Sequence, residues 1–263
     1  MNITKENIDG GNAFDWGRTS EDYAKYRDIY PAAFYDDLVK RGLCVKGQSV
    51  LDLGTGTGVL PRNLYRYGAK WCGTDISPEQ IEQAKQLAAA ADMDIDFRAA
   101  SAETTDYPDQ SFDVVTACQC YWYFDPAKAY PNIARMLKPG GRLVLLYMGW
   151  LADEDKIADA SEQLVLKYNP SWTGGGDRRH LIVPPEEAGQ WFDITEQTMY
   201  DLPVHFTKAA WHGRMRACRG VGASLDAEKL AAWDAEHRAV LDRIAPDEFD
   251  IQHYAAVTVM TVK

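Results

Sequence analysis

Three glycines at alternate positions follow a short apolar run near residue 50. Residues Val50–Gly58 read VLDLGTGTG, a pattern that predicts a buried strand, a tight turn and the start of a helix. A glycine turn lets a ligand lie against bare backbone, and the N–H groups of the turn and of the helix N-terminus point at that ligand. This arrangement is typical of sites that bind a nucleotide-type cofactor.

The spacing of these residues narrows the class of cofactor. In the dinucleotide fingerprint G-x-G-x-x-G, the third glycine falls on position 59, which is Val59 in this chain. Asp52, two residues before Gly54, would repel a pyrophosphate at short range and favours a cofactor that carries an ammonium group. No G-x-x-x-x-G-K-[ST] motif occurs, so the sequence does not support a P-loop.

A second carboxylate ends the next predicted strand. Asp75 lies about 20 residues beyond the glycine turn, where an acidic residue accepts hydrogen bonds from ribose hydroxyls. The alternative is an ordinary loop carboxylate in an acidic protein. Ser77 and Pro78 follow, and together they predict the N-terminus of a helix.

Four blocks of the sequence, in order, resemble the class I S-adenosylmethionine-dependent methyltransferases, in the type 11-like branch that acts on small molecules. The blocks are Val50–Gly58, Gly73–Ser77, Ser101–Glu103 with Ser111–Val115, and Leu137–Val144. The resemblance implies an α/β fold with a Rossmann-like, seven-stranded and mainly parallel sheet, an antiparallel edge hairpin and helical cap insertions. The cofactor that it implies is S-adenosyl-L-methionine.

The resemblance assigns the methionine and ribose contacts residue by residue. Gly54, Thr55 and Gly56 would hold the methionine part of the cofactor through the backbone. Asp52 would lie near its ammonium group, and Asp75 would bind the ribose.

The same resemblance assigns the adenine contacts. Ile76 would cover one face of the adenine, and Ala102 would bind a ring nitrogen through its backbone N–H. Ser101 departs from the family, because many relatives carry an aspartate there that accepts from the adenine amino group. Serine accepts more weakly, and Glu103 could compensate.

Two further pairs of residues could border the methionine end. By the resemblance, Cys118 and Gln119 line the cleft beside the methyl group. Tyr26 and Arg27 belong to an aromatic N-terminal stretch that could seal the cofactor, with Arg27 meeting the methionine carboxylate. The alternative for this stretch is a helix whose aromatic residues pack on the core.

Aromatic residues supply candidate contacts for the methyl acceptor. Tyr121 and Trp122 follow the fourth predicted strand, and open α/β sheets bind ligands at the carboxyl ends of their strands. Trp172 precedes three consecutive glycines that suggest a mobile loop. The alternative is that these aromatic residues anchor neighbouring helices.

Arginines cluster in two stretches of an otherwise acidic chain. Arg179 lies in one, and Trp211 and Arg214 lie in the other. Arginine suits the recognition of carboxylate or phosphate, so we predict an anionic small-molecule acceptor if both stretches cap the cleft. His212 is the candidate general base. The alternative is a solvated helix face whose arginines pair with nearby acids.

Composition agrees with a cytoplasmic enzyme that acts on a small molecule. The chain has 263 residues and a formal net charge of −11, which disfavours nucleic acids and anionic membrane surfaces. Its five cysteines are odd in number and form no CxxC, as expected of reduced thiols. The first residues are polar, without the apolar core expected of a signal peptide, and no apolar stretch of about 18 residues occurs. We predict a monomer or homodimer with no metal site.

We predict that residues 1–263 form a single methyltransferase domain. Its parts are N-terminal helices (1–44), a cofactor-binding core (45–150), cap insertions (151–193 and 207–247) and edge strands (194–206 and 250–263). Within the core, strands are predicted at 49–53, 70–74, 94–97, 112–117 and 141–148, and helices at 58–67, 78–90 and 126–137. A further helix is predicted over 208–245.

Three alternatives to a small-molecule methyltransferase stay open. The chain could bind S-adenosylmethionine without transferring its methyl group, or it could methylate a protein or an RNA. It could also be an NAD-dependent oxidoreductase, although Val59 and Asp52 argue against a dinucleotide.

Overall fold

A computed structural model describes residues 3–263 of the chain. Within these residues, seven strands form one sheet. They are β1 (Ser49–Leu53), β2 (Lys70–Asp75), β3 (Ile95–Ala99), β4 (Phe112–Cys118), β5 (Leu137–Trp150), β6 (Phe192–Thr207) and β7 (Glu248–Val262).

Eight α-helices occur in the same residues, and several begin at a side-chain cap. They are α1 (Ser20–Tyr26), α2 (Ala32–Lys40), α3 (Val59–Leu64), α4 (Pro78–Ala90), α5 (Pro126–Met136), α6 (Lys156–Tyr168), α7 (Lys208–Arg216) and α8 (Ala227–Ile244). Ser77 caps α4 by accepting from the Gln80 N–H, as its sequence predicts. No helix in this described part of the chain is both long and apolar enough to cross a lipid bilayer.

The strand order creates a switch point beside β1. The order is β3-β2-β1-β4-β5-β7-β6, with the first five strands parallel and an antiparallel edge at β5-β7-β6. The chain therefore winds outward in opposite directions from β1 and β4, and such sheets bind ligands outside the carboxyl ends of the strands at that point. The predicted Rossmann-like fold with an antiparallel edge is confirmed.

The strand register brings the motif residues to one edge of the sheet. Leu53 is paired with Thr74 of β2 and with Ala117 of β4, and Asp75 is paired with Ala99 of β3. The segments that leave these strands therefore emerge side by side.

The single helix predicted over 208–245 is wrong, because the chain turns between α7 and α8. The Gly222 N–H donates to the Arg216 carbonyl at 3.0 Å, and a Cβ on Gly222 would lie 2.6 Å from that oxygen. Asp226 then caps α8 by accepting from the Lys229 N–H. The apolar residues before and after this turn have helical spacing, so the sequence pattern does not indicate the break.

The edge strands β5, β6 and β7 are longer than the sequence predicts. Residues 193–199 of β6 are mostly exposed on both faces, so they lack the apolar alternation that marks a strand. The predicted helix over 58–67 is shorter, because α3 ends in a 3-10 turn at Tyr65–Tyr67 and the left-handed Gly68 stops it.

The chain divides into two compact units. The core unit comprises Tyr30–Met148, His180–Tyr200 and Ala255–Lys263, and it contains α2 to α5 and β1 to β4. The helical unit comprises the chain up to Ile29 together with Gly149–Arg179 and Asp201–Tyr254, and it contains α1, α6, α7 and α8. A single methyltransferase domain over the whole chain stays a prediction.

Candidate cofactor site

The turn after β1 holds three glycines in left-handed backbone conformation. The angle φ is +62° at Gly54, +57° at Gly56 and +73° at Gly58. Residues with side chains rarely adopt these angles, so the alternate spacing of the glycines meets a backbone requirement. The turn is tied to β2, because the Thr55 N–H donates to the Thr74 carbonyl at 2.9 Å.

Gly58 allows α3 to pack closely against the sheet. A Cβ on Gly58 would lie 2.6 Å from the Phe97 ring, and a Cβ on Gly73 would lie 2.8 Å from the same ring. Phe97 is 4% exposed and packs with the apolar face of α4. Gly58 therefore has the helix-packing role that the third glycine of the dinucleotide fingerprint has one residue later.

Asp75, at the end of β2, binds the backbone of the turn. Its Oδ2 accepts from the Gly56 N–H at 2.9 Å and its Oδ1 accepts from the Ser77 N–H at 2.9 Å. A carboxylate has about four acceptor positions, so each oxygen can take a further donor such as a ribose hydroxyl. Burial raises the pKa of Asp75, and the backbone N–H donors act in the opposite direction.

Asp52 is a buried carboxyl group in β1, only 2% exposed. Its Oδ1 accepts from the Thr116 hydroxyl at 2.6 Å. Burial raises the pKa of Asp52 to about 7, against the opposing hydrogen bond from the Thr116 hydroxyl. A nearby ammonium group would favour the ionised carboxylate, so this residue suits the position that the resemblance assigns to it.

We expect Asp52→Asn to stabilise the cofactor-free protein increasingly as the pH rises. The carboxyl group has a pKa of about 7 when folded and about 4 when unfolded, so the folded state loses stability between these values as pH rises. The gain in unfolding free energy of the variant over the native protein should grow by about 1 kcal/mol from pH 6 to pH 7.

Denaturant unfolding at the two pH values measures this gain. Asp94→Asn, at an exposed carboxylate before β3, is the matched control and should show no such growth. If Asp52→Asn behaves like the control, the raised pKa is contradicted.

The residues predicted for the adenine end follow β2 and β3. Ile76 presents an apolar side chain that is 39% exposed, while Ala102 is 6% exposed. The Ser101 hydroxyl lies 3.0 Å from a neighbouring threonine hydroxyl. Glu103 accepts from the Asp125 N–H at 2.7 Å and so fixes the start of α5. Adenine contacts from these residues stay predictions.

Gln119 leaves β4 in a strained conformation, with φ at +60°. Its N–H donates to the Leu146 carbonyl at 2.9 Å, and its side-chain amide donates to the Met148 carbonyl at 2.7 Å. These bonds to β5 maintain a backbone angle that costs a non-glycine residue about 1–2 kcal/mol. The adjacent Cys118 thiol donates to the Tyr30 hydroxyl at 3.3 Å.

Cys120 packs directly on the glycine turn. A Cβ on Gly54 would lie 2.7 Å from the Sγ of Cys120, and the thiol donates to the Leu53 carbonyl at 3.0 Å. Burial raises the pKa of this thiol, so it remains protonated. The sequence does not indicate this contact, because it depends on the pairing of β1 with β4.

Tyr121, Trp122, Tyr147 and His180 form an aromatic cluster in the core unit. The Trp122 ring lies 5.0 Å from the Tyr121 ring and 5.7 Å from the Tyr147 ring, and the Tyr147 and His180 rings are 5.4 Å apart. The first three are half-buried and His180 is exposed. Tyr147 is a further site candidate, beyond those predicted from the sequence. Its signal is a lone tyrosine in the apolar run Leu143–Met148.

Tyr26 and Arg27 lie at the end of α1 in the helical unit. The Tyr26 ring lies so close to Gly213 of α7 that a Cβ there would be 2.3 Å from it. The Arg27 guanidinium lies over the Tyr23 ring, 4.5 Å from its centre. Their roles toward the cofactor stay predictions.

Trp172 and Trp211 are both packed in the helical unit. Trp211 is fully buried, and its indole N–H donates to the Ser161 hydroxyl at 2.9 Å. Trp172 is 6% exposed, and a Cβ on Gly220 would lie 2.6 Å from its ring. These contacts give both indoles a structural role, and contact with an acceptor stays a prediction.

The two predicted anion-binding arginines have partners within the helical unit. Arg179 forms ion pairs with Asp201, at 2.6 Å, and with Glu154. Arg214 is 3% exposed, and its guanidinium lies over the Trp150 ring, 4.8 Å from the ring centre.

His212 belongs to a buried chain of hydrogen-bonding groups. Its Nδ1 lies 2.9 Å from His237 Nδ1 and its Nε2 lies 3.1 Å from an Asp234 oxygen, while His237 Nε2 lies 3.0 Å from the Ser161 hydroxyl. Burial lowers the pKa of both histidines below their usual range. The predicted role of His212 as a general base near neutral pH is not supported by this environment.

We expect His253→Phe to make the protein less sensitive to acid. His253 is 1% exposed, its Nδ1 lies 2.8 Å from the Ile251 carbonyl, and among the described residues its Nε2 has no partner. Burial lowers its pKa to about 3, against about 6.5 when unfolded. Stability from the neutral ring is present above the unfolded pKa and is lost as the pH falls, by about 1 kcal/mol between pH 7 and 5.5.

Unfolding free energies at these two pH values test the prediction. Phenylalanine keeps the stacking with Phe206, whose ring centre is 6.1 Å away. His205→Gln changes a histidine whose side chain is 62% exposed and serves as the control. An acid-induced loss in His253→Phe equal to that of the native protein would contradict the buried neutral histidine.

The core of the chain is similar to methyltransferases of known sequence. Residues 51–145 match the family described as a methyltransferase domain. The chain is 34% identical over 141 residues to an uncharacterized methyltransferase of Mycobacterium bovis, covering 51% of this chain and 55% of that protein. It is 28% identical over 151 residues to the ubiquinone biosynthesis O-methyltransferase of Coxiella burnetii, covering 54% of this chain and 64% of that protein. The chain thus spans little more than half the length of these relatives.

Solved structures share the fold at lower sequence identity. The YcgJ protein of Bacillus subtilis has a TM-score of 0.52 and 21% identity, covering 89% of this chain and 99% of that protein. This likeness concerns the fold alone. The glycine turn, the carboxylate at the end of β2 and the matching methyltransferase domain at residues 51–145 together support a class I S-adenosylmethionine-dependent methyltransferase.

Proposed function

We propose that this protein transfers the methyl group of S-adenosylmethionine to a small molecule. The observation that carries the proposal is the pair of hydrogen bonds by which Asp75 holds the glycine turn. Its carboxylate holds the Gly56 and Ser77 N–H groups and keeps acceptor positions for two hydroxyls, beside the switch point of the sheet.

Three side chains of the core unit suit the three parts of this cofactor. Asp75 would hold the ribose, Ile76 would cover the adenine, and Asp52 would stabilise the ammonium group. When bound, S-adenosylmethionine supplies a methyl group that its sulfonium makes electrophilic. The chain would orient the acceptor and exclude water, because in-line displacement depends on alignment.

A small-molecule acceptor is favoured over a macromolecule. The net charge of −11 disfavours RNA, and the Coxiella burnetii relative is named for ubiquinone biosynthesis. The five cysteines are free thiols, which supports a reducing compartment such as the cytoplasm. The monomer or homodimer stays a prediction.

A protein that binds the cofactor without transferring a methyl group is the second candidate. The features that support binding lie in the core unit, whereas the buried His212 provides no evident base. A base is required only when the acceptor must lose a proton, so these features do not decide between the two.

Calorimetric titration with S-adenosylmethionine, S-adenosylhomocysteine and NAD tests the cofactor. We expect binding of the first two and none of NAD. Formation of S-adenosylhomocysteine in the presence of a metabolite extract then separates transfer from binding alone. Binding without any turnover would favour the second candidate, and binding of NAD alone would refute the proposal.

A further inference from the structure

The acceptor need not be an anion, because the chain's own carboxylates already pair with Arg179, Arg216 and Arg219 of the helical unit. Arg179 is held between Glu154 and Asp201. An anionic acceptor at this arginine would have to displace a bound carboxylate.

The arginines at the end of α7 and just beyond it show the same pattern. Arg216 pairs with Asp22 and, at 3.1 Å, with Asp234. Arg219 pairs with the buried Asp9 at 2.7 Å. Clustered arginines in this acidic chain therefore have a structural explanation within the helical unit.

The aromatic cluster lies where a parallel sheet binds ligands. Cys118 ends β4 and is paired with Leu146, so Tyr147 is the first residue of β5 beyond the end of β4. Trp122, in the segment that leaves β4, contacts the Tyr147 ring at 5.7 Å. The cluster therefore borders the carboxyl ends of two adjacent strands in the core unit.

The bend at Gln119 fixes the direction of the chain that carries Trp122. Its left-handed backbone is held by hydrogen bonds to the Leu146 and Met148 carbonyls of β5. Backbone strain of this kind persists where the surrounding structure maintains it, and it collects at functional sites. The aromatic side chains beyond the bend are thus positioned before any ligand arrives.

Two exposed apolar residues follow His180 in the chain. Leu181 is 44% exposed and Val183 is 81% exposed. The residue between them, Ile182, is 1% exposed, and its carbonyl accepts from the Gln197 amide at 2.8 Å. Because Ile182 is anchored, its two exposed apolar neighbours give the segment after His180 an apolar surface, which suits a neutral molecule.

We propose that the acceptor is a planar aromatic molecule that stacks on the aromatic cluster, with Trp122 and Tyr147 determining specificity. This inference rests on the proposed methyltransferase function. Half-buried aromatic side chains bind flat rings through stacked and edge-to-face contacts, which saturated rings of the same size cannot make equally well.

The test measures ligand binding to the full chain loaded with S-adenosylhomocysteine. The probes are 2-naphthol, its saturated counterpart decahydro-2-naphthol, and succinate as an anion. We expect 2-naphthol to bind about 5- to 10-fold more tightly than the saturated alcohol, and succinate to bind least.

Two variants and a control locate the site. Trp122→Leu and Tyr147→Leu should each weaken 2-naphthol binding about 5- to 10-fold and leave the affinity for S-adenosylhomocysteine unchanged. Trp191→Leu removes an indole of the core unit that is 40% exposed and lies outside the cluster, and it should change neither affinity.

The outcomes separate this inference from the proposed function. No preference for 2-naphthol, a preference for succinate, or full 2-naphthol binding by both cluster variants would overturn the aromatic acceptor while S-adenosylhomocysteine still binds. Failure of the native protein to bind S-adenosylhomocysteine would instead refute the proposed function on which the inference rests.

Discussion

Replacing Asp75 by alanine is expected to weaken binding of S-adenosylmethionine by about 1–3 kcal/mol, or about 5- to 150-fold. The change removes the charged acceptor that we propose for the two ribose hydroxyls. It also leaves the Gly56 and Ser77 N–H groups without the oxygens that hold the turn, so the binding surface loses its shape as well as a contact.

Calorimetry on folded variants measures this loss. Asp75→Asn keeps one acceptor oxygen but brings an amide donor toward backbone N–H groups, so we expect an intermediate loss of affinity. Asp94→Ala removes an exposed carboxylate of the same unit and should bind like the native protein. Unchanged affinity in a folded Asp75→Ala would remove this residue from the site.

The core of the fold could be predicted because its signals are local. The helix predicted over 78–90 is observed with those bounds, since Ser77 caps it and Pro78 starts it. The strand over 49–53 is likewise observed as predicted, because a short run that is apolar except for Asp52 ends at Gly54. Each of these signals lies within a few residues of the element that it defines.

The edge of the sheet and the helical unit depend on contacts distant in sequence. The exposed first half of β6 forms a strand because it pairs with β7, and the periodicity of its sequence does not reveal this pairing. The paired arginines Arg216 and Arg219 find Asp22 and Asp9 about 200 positions earlier. Composition shows the cluster of arginines and cannot show these partners, so it cannot tell an anion site from arginines that pair with the chain's own acids.

The residues of the candidate site also fall into those that local sequence indicates and those that only distant contacts bring in. The motif locates Asp52, the glycines and Asp75, because the glycine spacing and the strand ends are readable along the chain. Cys120 and Tyr147 enter the site only through the pairing of β4 with β1 and β5. The proposed cofactor contacts can therefore be named from the sequence, whereas part of the proposed acceptor contacts depends on strand pairing.

The glycines of the turn should separate cofactor binding from folding. In Gly56→Ala, the N–H can still donate to Asp75, and the left-handed angle of +57° costs about 1–2 kcal/mol of stability. The new methyl group would stand where we propose that the cofactor lies against bare backbone. We therefore expect a loss of more than about tenfold in affinity for S-adenosylhomocysteine.

Gly58→Ala should show the reverse pattern. Its methyl group would meet the Phe97 ring at 2.6 Å in addition to the strain at φ +73°, so we expect about 2–4 kcal/mol less stability and nearly native affinity in the folded fraction. Adding Phe97→Leu removes the ring that the methyl group meets, and should recover part of that stability. Denaturant unfolding and calorimetry on all three variants give both quantities. Equal losses of affinity in Gly56→Ala and Gly58→Ala would contradict this division of roles. A change at Gly58, which packs against Phe97, should weaken cofactor binding less than a change at Gly56, which we propose contacts the cofactor.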